Sequence, residues 1–158
     1  MTLREKVSFV WHLPWRRKKW LLYCFVSSAL ASFVVSALPS KYLKHFLGYP
    51  LRNKELCVLA TPTQLLHARQ VASLMKTVSS NVPWPCECLV QALCVNWLLN
   101  RQALPWVTYL GASLEAGAQP NMKAHAWVCV GPHTIIGDRR DQFPIVGTFT
   151  SSDLSEFE

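Results

Sequence analysis

Acidic residues are scarce at the start of this chain. Glu5 is the only one among the first 54 residues, against ten Lys and Arg, so that segment carries a net charge of +9 while residues 55–158 carry −2. A basic patch suits nucleic acid, anionic lipid or an acidic peptide equally, so the charge alone selects no partner. Glycine is also sparse: six residues without period, beside ten prolines, exclude a collagen-like polymer. There is no CxxC pair, and six cysteines in 158 residues are too thinly spread for a disulfide scaffold. No internal repeat or low-complexity tract is present. What remains is a chain with 51% hydrophobic residues, enough for one sizeable core, with thiols expected to stay reduced in a cytoplasmic setting.

The longest uncharged stretch, Trp20 to Leu38, follows the basic run Arg16-Arg17-Lys18-Lys19. That is the pattern of a short membrane span with its basic flank inside, yet four serines dilute it. Small residues at 28, 32 and 36 also allow close packing of a core helix, and this is the reading preferred here. Pro39-Ser40 stops the segment, and Lys41 to Leu47 reads as a short amphipathic helix ended by Gly48 and Pro50. Pro62 to Val78 carries Leu65, Ala68, Val71, Ala72, Met75 and Val78 on one helical stripe, with Thr61 as N-cap and Pro62 at the first helical position. After the breaker SSNVPWP, Cys86 to Asn100 reads as a further helix. Beyond Pro105 the code changes to β-type runs: 106–111, 124–130, 134–136 and 145–149. The expected fold is therefore α+β, with N-terminal helices followed by an antiparallel sheet. A basic helical region over 1–80 and a catalytic core over 81–158 would form one compact domain.

A thiol nucleophile needs an electropositive setting, a base and an orienter for that base. Cys88 lies just after Pro-Trp-Pro, in the first turn of the following helix, where free N–H groups and the helix dipole favour thiolate; Cys86 ranks next. The base follows from strand register. If Gly131-Pro132 is the tip of a hairpin, Val130 faces His133 and His125 faces Asp138, close enough for the carboxylate to orient the imidazole. Two other chemistries fare worse. A zinc site would have to gather Cys86, Cys88, Cys129, His125 and His133 without a second ligand pair at finger spacing. A nucleobase deaminase needs H-x-E ahead of P-C-x-x-C, and here Pro85-Cys86-Glu87-Cys88 comes first and His125-Ala126-Trp127 later.

The blocks Cys88-Leu-Val-Gln-Ala-Leu93, Thr108-Tyr-Leu-Gly111, Lys123-Ala-His-Ala-Trp-Val128 and Phe143-Pro-Ile-Val-Gly-Thr-Phe149, in this order, resemble the transglutaminase-like leader peptidases of lasso-peptide biosynthesis. The resemblance is to their B-proteins in the stand-alone protease form. It implies a papain/transglutaminase-like cysteine protease core in which Cys88 is the nucleophile, His125 the base and Asp138 the orienter, with Asp141 in reserve. It implies no metal or organic cofactor. The implied partners are a precursor peptide as substrate, a separate leader-recognition protein and an ATP-dependent asparagine-synthetase-like cyclase, with no nucleic acid. Association with a membrane surface stays open, and the rival reading is a membrane-anchored binding protein that spans with residues 20–38 and does no chemistry.

Overall fold

A computed structural model describes residues 14–51, 55–115, 121–137 and 143–152. The elements run in the order α1 (Trp15–Ala37), α2 (Ser40–Leu47), β1 (Tyr49–Leu51), α3 (Pro62–Ser79), α4 (Cys88–Asn100), β2 (Val107–Glu115), β3 (Asn121–Val130), β4 (His133–Ile136) and β5 (Ile145–Thr150). All strand pairs are antiparallel, in the spatial order β1-β5-β2-β3-β4. Helices first and an antiparallel sheet after them is the α+β layout expected from the pattern of the chain.

The helix boundaries follow local chemistry. Thr61 and Gln64 form a reciprocal capping box, the Thr61 hydroxyl accepting from the Gln64 N–H and the Gln64 side chain accepting from the Thr61 N–H. The stripe along α3 then buries Ala68, Val71, Ala72, Met75 and Val78. Helix α1 starts at Trp15, so the basic run lies within its first turns rather than flanking it. It buries Ser28 and Ser32 but leaves Ser36 exposed, so close packing involves only the first two of the three small positions. Helix α4 starts at Cys88 rather than Cys86, because the extended Glu87 is its N-cap.

Strand β1 is the element the sequence pattern does not show, since Gly48 and Pro50 read as breakers. It is an edge strand, paired on one side with β5, where a proline without an N–H is tolerated.

The sheet has two differently covered faces. On one, Ala126, Val128, Val130, Ile135, Ile136 and Phe149 pack with α1, α3 and α4 into the main core. On the other, Val107, Tyr109, Trp127 and Cys129 are covered by Leu56, Val58, Phe143 and Ile145. The Tyr109 hydroxyl pins that cover, donating to the Leu56 carbonyl at 2.6 Å and accepting from the Leu56 N–H at 3.1 Å.

At the centre stands α4, apolar nearly all round and buried on all sides, as such helices must be. Its one fully buried polar side chain is Asn96, whose Oδ1 accepts from Thr108 Oγ1 at 2.9 Å and whose Nδ2 donates to the Leu47 carbonyl at 3.4 Å. Both Asn96 and Thr108 are inaccessible to solvent, so the pair ties helix to sheet where water cannot compete. Replacing Thr108 by Val keeps the shape and leaves Asn96 Oδ1 without its donor. Urea denaturation is expected to show a loss of about 1–3 kcal/mol for Thr108→Val.

Candidate functional site

Cys88 is the first residue of α4. Glu87 makes no side-chain cap there, so the first-turn N–H groups have no side-chain acceptor from the N-cap. The segment leading into the helix is fixed instead by Gln91, whose Nε2 donates to the Cys86 carbonyl at 2.8 Å. Cys88 itself is half-buried at the rim of the helical core.

None of the six cysteines is in a disulfide, and burial separates them. It pushes Cys94 up to about 12 and Cys24 up to about 11, and it raises Cys86 as well. At neutral pH those three are held as inert thiols by desolvation of the charged form.

His125 lies on β3 directly opposite Gly111 of β2. Its ring stacks near Trp127 at 6.1 Å and lies 5.2 Å from Phe143, centroid to centroid. Strand alternation puts it on the same face as Trp127, away from the helices. Its Nε2 is buried and has no hydrogen-bond partner among the described residues. A buried imidazole nitrogen left unpaired is uncommon and calls for an explanation.

Among the strands, helix α4 packs mainly on β3, and it is tied to β2 by the hydrogen bond between Asn96 and Thr108. Cys88 packs with the helical layer, whereas His125 lies on the outer face of the sheet. No hydrogen bond joins them.

The hairpin after β3 corrects the register argument. Its tip is Gly131-Pro132, with Val130 opposite His133 and Cys129 opposite Thr134, as the sequence implies. Then a bulge intervenes: Val128 pairs with Ile136, leaving Ile135 as an extra residue. Ile135 and Ile136 both turn into the helical core, and burial of two consecutive isoleucines is the physical reason for the slip. Counting from the tip thus fails beyond Cys129, and the direct opposition of His125 and Asp138 cannot be derived that way. Past the bulge Gly137 adopts φ +81° and presses on β3, where a Cβ would run into the Ala126 carbonyl oxygen. Asp138 and Asp141 lie outside the described residues.

Among the described residues no three His, Cys, Asp or Glu side chains gather as a metal site, so Cys86, Cys88, Cys129, His125 and His133 do not assemble into the zinc set considered from sequence. A feature that sequence reasoning missed is a cleft of about 760 Å³ on the outer face, lined by Tyr109, Trp127, Cys129, Pro132, Phe143 and Ile145 among others. Trp127 and Phe143 are also the ring neighbours of His125, which does not itself line the cleft. The sequence signal was Gly111 inside a strand, a common mark of close approach. A Cβ there would sit 2.6 Å from Phe143 Cβ and 2.8 Å from Trp127 Cζ3. Rotation cannot relieve a clash with a Cβ, so Gly111→Ala is expected to cost about 1–3 kcal/mol in urea denaturation and to shift the His125 ring resonances in NMR spectra.

The comparisons with known proteins agree with this architecture. A family model described as the transglutaminase-like superfamily matches residues 41–148, a span that takes in Cys88, His125 and Asp138 and leaves out α1. No curated protein and no solved structure matches the chain significantly. The superfamily is one of thiol chemistry, peptidase or acyl transferase. With more than half of its length matched, this chain belongs to the transglutaminase-like superfamily.

Proposed function

We propose that the protein is a cysteine peptidase that removes the leader from a ribosomally synthesised lasso-peptide precursor. The observation that carries the reading is the place of Cys88, first residue of the buried central helix in a chain of this superfamily. The motif blocks around Cys88, His125 and Phe143 support the choice of substrate class.

In this reaction the Cys88 thiolate attacks the scissile carbonyl carbon, and its backbone N–H stabilises the oxyanion. The protonated His125 gives its proton to the leaving amine as the C–N bond breaks, leaving a thioester on Cys88. His125 then takes a proton from water as its oxygen attacks the thioester, and the thiol and a carboxylic acid are released. An acid at Nε2 would fix the tautomer and leave Nδ1 for the thiol, and the orphaned Nε2 is the atom such an acid would hold. Asp138 is assigned that role, with Asp141 in reserve.

The remaining partners belong to the same reading. A separate recognition protein presents the leader, so that remote binding energy positions the scissile bond. The freed α-amine then goes to an ATP-dependent cyclase. In a precursor-cleavage assay with the recognition protein present, Cys88→Ala and His125→Ala are expected to be inactive and Cys86→Ala to keep most activity. Asp138→Asn is expected to lose on the order of a hundredfold in rate and Asp141→Asn to stay near the parent. Activity lost with Cys86 and kept without Cys88 would overturn the thiol assignment.

A further inference from the structure

The outer face of α1 is apolar although it is exposed. Toward the core the helix presents Cys24, Ser28, Ala31 and Ser32, all buried, with Trp20, Leu21 and Val35 packed beside them. Toward solvent it presents one stripe of Trp15, Lys19, Leu22, Val26, Leu30 and Phe33, at the three- and four-residue spacing of a single helical face. Trp15 is 70% exposed, Leu22 64% and Phe33 71%. A contiguous apolar face of this kind marks an interaction surface.

The charges on the helix say what kind of surface covers it. Helix α1 contains no acidic residue, and its cations Arg16, Arg17, Lys18 and Lys19 fall in its first two turns. Trp15, Trp20 and Tyr23 stand at that same end, and Lys19 Nζ lies 5.7 Å from the Trp15 ring centroid. Cations with Trp and Tyr at one level and aliphatic side chains beyond them match the layering of a bilayer, anionic headgroups above acyl chains.

By length and composition residues 17–37 could also cross a membrane, with mean hydropathy 1.8 and 22% of the window buried. The ties from this helix to the rest of the domain argue against that. Trp84 Nε1 donates to Ser28 Oγ at 3.2 Å, Trp84 packs edge-on to Phe25 at 5.0 Å, and Arg101 Nη2 donates to the Tyr23 hydroxyl at 3.0 Å while its guanidinium lies 4.7 Å from that ring. A spanning helix would have to abandon all of these and expose the core under Cys24 and Ala31. We infer that α1 stays packed on the domain and docks it on the surface of an anionic bilayer, its outer stripe in the acyl boundary and its basic first turns among the headgroups.

The test is cosedimentation of the full chain with vesicles of phosphatidylcholine alone and of phosphatidylcholine with phosphatidylglycerol. Binding is expected to be at least tenfold tighter with phosphatidylglycerol and to be released by alkaline carbonate. Leu22→Ser/Leu30→Ser/Phe33→Ser, and separately Arg17→Glu/Lys19→Glu, should each weaken it at least tenfold with an unchanged circular dichroism spectrum. Because all five side chains are exposed, the second variant decides the matter should the first fail to fold. Four results would each overturn the inference: no sedimentation with either vesicle, variants that bind like the parent, resistance to carbonate as for a spanning helix, or a dimer in solution that the triple substitution dissolves.

Discussion

One buried hydrogen bond sets the geometry on which the rest depends. Asn96 on α4 and Thr108 on β2 meet inside a dry core, where an unpaired amide or hydroxyl would cost more than the bond contributes. An apolar helix packed on all sides could slide or rotate by a residue with little change in buried area. The Asn96 amide permits one depth, because it must meet the Thr108 hydroxyl and the Leu47 carbonyl together. Fixing α4 at Asn96 also fixes its first residue, Cys88, about two turns back along the helix.

The sheet supplies the second half of the arrangement by having unlike faces. The helical face is an ordinary core of small and branched side chains, whereas the outer face is covered by loop residues around Tyr109, Trp127 and Phe143. His125 belongs to this second environment, its Nε2 buried without a hydrogen-bond partner among the described residues and its ring beside Trp127 and Phe143. The cleft on the same face is lined by Trp127 and Phe143, the ring neighbours of His125, and not by His125 or Cys88 themselves.

Much of this was legible from the residues, for reasons that are local. Thr61-Pro62 with Gln64 marks a helix start because capping chemistry is satisfied within four residues. The shift from helical spacing to β-type runs beyond Pro105 reflects side-chain periodicity, and Cys88 stands out because Pro-Trp-Pro precedes a helical pattern. What escaped depends on distant partners. Strand β1 exists only because β5, about a hundred residues later, offers it an edge, so Gly48 and Pro50 read as breakers. The bulge at Ile135 depends on the helical core claiming two adjacent isoleucines, which no hairpin count can reveal. The outward apolar stripe of α1 was read as a span or a core helix, because the sequence shows how apolar a face is and not which way it turns.

The proposed function requires that α4 hold Cys88 as the reactive thiol in a site that includes His125. Site-resolved mass spectrometry of iodoacetamide labelling tests this without knowledge of the precursor. Exposed Cys57 serves as the internal reference for an unassisted thiol. At neutral pH Cys88, although half-buried, is expected to be alkylated faster than Cys57, and His125→Ala to lower the Cys88 rate at least tenfold while leaving the Cys57 rate unchanged. A Cys88 that labels more slowly than Cys57, or at the same rate with and without His125, would contradict it.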